Sequence, residues 1–140
     1  MAWNVFDPNC PTRALLNRIG DKWTVLVVSA LSDGPLHFGE LKRAIGGVAP
    51  KVLTSVLRSL ERDGIITRRV YTASPIRVEY DLTVLGNSLL TAVEYLREWA
   101  EENMTKVAKA HVRYGAVQGD ESVARVADKR LQQTALSRRR

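Results

Sequence analysis

The sequence predicts a mainly α-helical fold that carries one small β-hairpin, and three observations predict it. Apolar residues recur at helical spacing in Leu53, Val56, Leu57 and Leu60, and again along a seam from Leu85 to Trp99. Between these stretches lies "IITRRVYTASPIRVEYDL", dense in β-branched and aromatic residues and interrupted at Ala73–Pro75, which is the pattern of two strands around a turn. A length of 140 residues, 45% hydrophobic and 26% charged, suits one domain with a single core.

The elements follow in order. Pro11 suits the first turn of a short helix ending at Ile19, because its fixed φ and missing N–H are tolerated there, and Gly20 stops it. Asp21 is positioned to cap "KWTVLVVSAL", a segment apolar on nearly every side; its β-branched content leaves a buried strand as the competing reading. "SDGP" is a turn. In "HFGELKRAI", Phe38, Leu41 and Ile45 form the apolar edge of a helix that Gly46–Gly47 ends. Pro50 then opens the helix of Leu53 to Leu60, with Gly64 just past its end. Two helices joined by "GGVA" have the outline of a helix-turn-helix. After the hairpin, Thr83 is placed to cap a final helix in which Leu85, Leu89, Ala92, Leu96 and Trp99 make an a/d-like seam that needs another surface.

The charge balance points to a partner. The net charge of +6 resides wholly in residues 105–140, since residues 1–104 carry twelve basic and twelve acidic side chains. Within that neutral body, residues 42–77 hold eight basic side chains against Glu61 and Asp63, a local positive field that favours a polyanion. On the Leu53 helix, Lys51, Ser55, Arg58 and Arg62 lie opposite the leucines, with Thr54 and Ser59 nearby. This cationic, hydroxyl-bearing stripe, about 16 Å long, has the dimensions and donors to enter a DNA major groove. The competing reading is a solvated helix face. The hairpin directly downstream, with Arg68, Arg69 and Arg77, completes the order helix, turn, helix, ribbon of a winged helix-turn-helix. Arg77, just past the turn, is the expected wing-to-DNA contact. Arg68 and Arg69 point to opposite faces of one strand, so at most one shares that role.

These blocks also carry a resemblance. Cys10–Pro11, Ile19-Gly20-x-Lys22-Trp23, Gly34-Pro35-x-x-Phe38-x-Glu40-Leu41, Lys51-x-Leu53-Thr54-x-x-Leu57-Arg58-x-Leu60, Asp63–Gly64 and Arg77-Val78-Glu79-Tyr80-x-Leu82-Thr83-x-x-Gly86 resemble, in register, the HxlR family of bacterial winged-helix transcription regulators. The resemblance covers about residues 10–102. It implies a homodimer held through terminal helices, binding double-stranded DNA near promoters and usually repressing. Two-fold symmetry then predicts a roughly palindromic operator with half-sites about one or two turns apart. The sequence departs from the family at Ala49–Pro50, where Ser or Thr is common: alanine offers no capping oxygen, which costs about 1 kcal/mol, and the missing hydroxyl removes a candidate phosphate contact.

Cys10, the single cysteine, raises a second function, because the resemblance implies an oxidant or electrophile sensor at the matching position. A thiol ahead of a helix's first turn faces the positive end of the dipole with Arg13 close in sequence, while Asp7 acts in the opposite sense. The alternative is a thiol packed in the N-terminal arm beside Trp3 or Phe6. A switch would need a Cys10–Cys10 bridge between protomers, a mixed disulfide or alkylation. A noncovalent small ligand is the other effector expected, with Trp23 and Trp99 read as core and interface aromatics that can also line a pocket.

Other classes find little support. Cys10 with His37 or His111 lies in no catalytic signature, so no enzyme is expected. Two histidines without clustered carboxylates give no metal spacing, Gly46–Gly47 lacks the lysine of a phosphate loop, and no cofactor is expected. Without an apolar run long enough to span a bilayer or a leader pattern, a cytoplasmic protein with no membrane partner is expected. A winged helix serving as a protein-interaction module remains the alternative of a different class. The expected organisation is an N-terminal arm over 1–9, the winged domain with its dimerisation helix over 10–103, and a basic, flexible tail over 104–140 that adds salt-sensitive, sequence-independent affinity for DNA.

Overall fold

In the computed structural model, which describes residues 2–118 together with 132 and 133, the Asp21 carboxylate accepts a hydrogen bond from the Trp23 backbone N–H at 2.9 Å and starts a helix. That helix, α2 (Lys22–Ala30), resolves the strand-or-helix ambiguity: a capped start satisfies an N–H that an isolated strand would leave open. Before it stands α1 (Thr12–Ile19), with Pro11 at its N-cap. A short 3₁₀ turn, Leu31–Asp33, leads into α3 (Phe38–Ile45), and α4 (Pro50–Arg62) follows. The hairpin strands are β2 (Ile66–Tyr71) and β3 (Arg77–Leu82) when numbered after a strand that sequence reading does not anticipate, β1 (Leu36–His37). The three form an antiparallel sheet in the order β1-β3-β2, with Leu36 opposite Tyr80 and His37 opposite Glu79. A mainly helical fold with a small sheet is therefore what the chain adopts.

Up to Tyr95 the chain packs as one unit. Val27, Val28 and Leu31 from the α2 region, Leu41 of α3, Leu53, Leu57 and Leu60 of α4, Ile66, Tyr80 and Leu82 of the hairpin, and Val93 make its core. The junction between α4 and β2 is closed by a glycine with a reason. Gly64 sits at φ 73°, in the left-handed region, and the Ile65 N–H reaches back to the Leu60 carbonyl at 2.9 Å to finish the helix. Thr83 ties the same junction to the last helix, α5 (Val84–Gln118). Its hydroxyl donates to the Gly64 carbonyl at 2.6 Å, and it accepts from the Gly86 N–H at 3.0 Å as the helix cap.

From Leu96 the chain belongs to a second unit. Here the expected tail is corrected: residues 104–118 continue α5 instead of beginning a flexible segment. The run "KVAKAHVRYGAVQ" has a weak apolar stripe but is rich in Ala, Lys and Arg, and extending an existing helix with such residues needs no new nucleus. Nearer the start of this unit Arg97 pairs with Glu101 at 2.8 Å, one turn on. The rest of the expected tail, 119–131 and 134–140, lies outside the described residues. No helix among the described residues is long and apolar enough to cross a membrane.

Candidate nucleic-acid interface and thiol site

The helix α4 is built to hold one face in and one face out. Leu53, Leu57 and Leu60 are buried, while Lys51, Ser55, Arg58 and Arg62 are exposed on the opposite side. The start of α4 has Ala49 at its N-cap and no side-chain cap, as the departure at Ala49–Pro50 predicts. Thr54 lies between the two faces, half-buried, and donates its hydroxyl hydrogen to the Pro50 carbonyl at 2.8 Å, which leaves its oxygen to serve as an acceptor. Arg62 donates to the Ser59 hydroxyl at 3.3 Å.

The acidic residues near this stripe are not equivalent. Asp63, at the C-cap of α4, is held by Arg18 through Nε–Oδ2 at 2.6 Å and Nη2–Oδ1 at 3.1 Å. Its charge is thus met by a cation from α1, and Glu61 is the carboxylate left beside the stripe. The positive field over α4 is correspondingly less compensated than a count of sequence charges implies.

The hairpin sorts its arginines by register. Arg68 pairs with Tyr80 and Ile66 with Leu82, so Arg68 belongs to the face turned toward the core and α4. There it lines a cleft with Thr54, Leu57, Arg58, Glu61 and Tyr80. Arg69 pairs with Glu79 on the other face, where its guanidinium reaches the Tyr71 hydroxyl at 3.5 Å and that hydroxyl donates to Glu79 at 3.2 Å. The Tyr71 contact and nearby carboxylates favour its charged form further. Arg77 pairs with Tyr71 on that outer face, exposed at the turn end of the hairpin beside His37, Ser74 and Pro75. The structure thus places Arg68 next to α4, and Arg77 on the face away from it.

Cys10 stands just before α1. Its Sγ lies 2.7 Å from the Thr12 hydroxyl oxygen, and this contact, first among its surroundings, lowers the thiol pKa from its ordinary value. Arg13 is engaged elsewhere, its guanidinium donating to the Val5 carbonyl at 2.9 Å and the Phe6 carbonyl at 3.2 Å and so fastening the N-terminal arm. Trp3 and Phe6 of the arm are exposed, while Cys10 is half-buried. His37 is the N-cap of α3, with Nδ1 3.3 Å from the Val78 carbonyl oxygen, and is engaged away from any thiol. Among the described residues no group of three His, Cys, Asp or Glu side chains can hold a metal. On α5, Leu85, Leu96 and Trp99 are 57%, 51% and 55% exposed; Ala92 is also exposed, whereas Leu89 is half-buried against the core.

Sequence reading missed Thr12, Arg18 and Tyr80 as parts of these sites. The spacing Cys-x-Thr was a visible signal for the first; the other two depend on contacts between residues far apart in sequence.

A helix pair with an exposed cationic second helix, followed by a β-ribbon, defines a winged helix-turn-helix transcriptional regulator. Comparison with known proteins names the branch: the model of the HxlR-like helix-turn-helix family matches residues 18–108, and the chain belongs to that family. The HTH-type transcriptional regulator YtfH of Escherichia coli is 40% identical over 104 residues, spanning 74% of this chain and 82% of its own. Among solved structures, the regulator ytfH from Salmonella typhimurium is similar with a TM-score of 0.72 at 40% identity, over 76% of this chain and 95% of that one. The redox regulator HypR in its oxidized form is similar with a TM-score of 0.62 at 39% identity, over 67% of this chain and 97% of its own.

Proposed function

We propose that the protein is a sequence-specific DNA-binding regulator that acts as a homodimer on a roughly palindromic operator and represses by occupying it. The observation that carries this reading is the outward face of α4, where Lys51, Ser55, Arg58 and Arg62 are exposed directly opposite the buried leucines. Lys51, Thr54, Ser55 and Arg58 face the major groove, with Arg62 toward the flanking backbone and Arg77 supporting from the hairpin turn. Leu85, Ala92, Leu96 and Trp99 supply the exposed seam for the second copy, and Leu89 braces the helix from inside. The test is fluorescence anisotropy with duplex from upstream of the protein's own gene against a scrambled duplex across a salt series. A preference for the native fragment at physiological salt that Arg58→Ala lowers about tenfold or more supports the reading, since a bidentate base contact discriminates by about 1–3 kcal/mol. Equal, salt-labile binding to both duplexes supports the protein-interaction module instead.

A second reading attaches to Cys10: the regulator responds to oxidants or electrophiles. The Thr12 contact favours the thiolate, which is the reactive form, and the similarity to a redox regulator is in keeping with it. Loss of DNA binding on oxidation, restored by reductant and absent in Cys10→Ala, tests it. Loss only with a noncovalent ligand, unchanged in Cys10→Ala, supports the other effector class.

A further inference from the structure

We propose that the cleft between α4 and the hairpin is an oxyanion site that seats one phosphodiester of the DNA backbone, with Arg68 as its cation and the Tyr80 hydroxyl as its neutral donor. The inference rests on the DNA-binding reading and deepens it by adding a residue pair that the base-facing stripe does not contain. Three observations converge. Arg68 and Arg58 both line the cleft, and among the described residues neither has an ion-pair partner. Tyr80 is only 8% exposed and lines the cleft, and its phenol makes no hydrogen bond to the described residues while its oxygen stays open to solvent. A phenol that opens into a cleft beside two guanidinium groups, with Glu61 as the one carboxylate of the lining, can donate its O–H to an external acceptor in place of water. Arg69, one residue away, is turned to the opposite sheet face and already engaged by Tyr71.

The charge of the cleft selects the ligand. Glu61 also lines it, so Arg58, Arg68 and Glu61 together leave one net positive charge. A singly charged phosphodiester matches that balance better than a dianion. The Thr54 hydroxyl already donates to Pro50 and adds no donor. Arg58, on the exposed face of α4, contributes potential at the rim while its own head group remains free for the groove. Arg68 therefore fixes the register of the hairpin on the duplex without reading sequence.

The experiment measures binding of the full chain to the native upstream duplex and to the scrambled duplex over a salt series, for wild type, Arg68→Ala, Arg69→Ala and Tyr80→Phe. The expected result is that Arg68→Ala weakens binding to both duplexes by the same factor, about tenfold, and reduces the salt slope by about 1. Tyr80→Phe weakens both a few-fold with the slope unchanged, and Arg69→Ala stays within about twofold of wild type. Equal losses in Arg68→Ala and Arg69→Ala, an unchanged slope in Arg68→Ala, or no effect of Tyr80→Phe overturns the proposal. Circular-dichroism melting checks that each variant is folded, and Arg68→Lys, which keeps the charge, retains the wild-type slope if the cleft binds as described. Inorganic phosphate titrated against chloride at equal ionic strength separates the two sources of the anion: phosphate-specific displacement of DNA that Arg68→Ala abolishes would make this a site for a free phosphoryl ligand and overturn the assignment to DNA. If wild type shows no preference between the duplexes, sequence-specific regulation fails by itself, while the slope on the scrambled duplex still decides the cleft.

Discussion

Arg18 of α1 grips Asp63, the C-cap residue of α4, with both of its facing nitrogens on the two carboxylate oxygens, at 2.6 and 3.1 Å. The pair answers a local problem. A carboxylate at a helix C-terminus faces the negative end of the dipole, and a guanidinium placed across it turns that unfavourable position into an anchor. It also joins the helix that follows Cys10 to the helix that carries the exposed cationic stripe. Because the Asp63 side chain is 15% exposed and the Arg18 side chain 40%, solvent screens part of the attraction. Arg18→Ala is expected to cost about 1–2 kcal/mol in urea unfolding, and Asp63→Asn somewhat less because it keeps an acceptor. If the anchor also orients α4, both variants weaken specific DNA binding by more than non-specific binding; equal weakening of the two would confine the pair to stability.

Two glycines inside helices predict opposite outcomes. A Cβ added at Gly86 lands on the backbone carbonyl of Ile65, which is held in place by the Thr83 N–H donating to that oxygen at 3.0 Å. Gly86→Ala therefore destabilises by about 2–3 kcal/mol, as overpacking against a fixed backbone does. At Gly39, in the first turn of α3, the nearest atom is a terminal nitrogen of Arg43 at 3.6 Å, ordinary contact with a flexible side chain. There alanine raises helix propensity without a clash, and Gly39→Ala gains about 0.5 kcal/mol. Parallel urea titrations check both signs.

The sequence showed some of this plainly and some not at all. Leu53, Leu57 and Leu60 repeat at helical spacing with cations between them, so α4 and its outward face are legible from pattern alone. The segment after Asp21 is legible only when the cap is weighed with the periodicity, because apolar residues on every side erase the difference between periods. Leu36–His37 is too short to have a period, and it is a strand only because Tyr80 and Glu79 come beside it in the fold. The cleft was hidden for the same reason. Alternation shows that Arg68 and Arg69 part company, but which of them meets α4 depends on the pairing of Arg68 with Tyr80 and of Ile66 with Leu82.

The Cys10 thiol gives a pH prediction whose sign can be worked out. The Thr12 hydroxyl, at 2.7 Å, donates to the sulfur once it is ionised, which favours the thiolate and lowers the pKa. The midpoint of alkylation rate against pH, read with iodoacetamide, falls below that of an ordinary cysteine. Thr12→Val removes the donor while keeping the shape, so its midpoint moves up and its rate at neutral pH falls. Arg13→Ala leaves the midpoint where it is, since that guanidinium is spent on Val5 and Phe6. A midpoint that follows Arg13 and ignores Thr12 would mean that the thiolate is stabilised by charge rather than by the hydroxyl.

The seam on α5 predicts a separation between association and folding. Leu96 and Trp99 are more than half exposed, and apolar side chains of this size at helical spacing gain by covering one another in a second copy. Leu89 packs on the core. If the protein pairs through this seam as proposed, wild type sediments as a dimer at micromolar concentration and Leu96→Glu with Trp99→Glu as a monomer, with the helical circular-dichroism signal largely intact. Binding to the native duplex then drops more than binding to the scrambled one, because two half-sites are no longer engaged together. Leu89→Ala behaves in the other way: it opens a void beside the core, costs about 2 kcal/mol or more in unfolding, and leaves association intact wherever the protein remains folded. A double glutamate variant that still sediments as a dimer would place the interface on another surface.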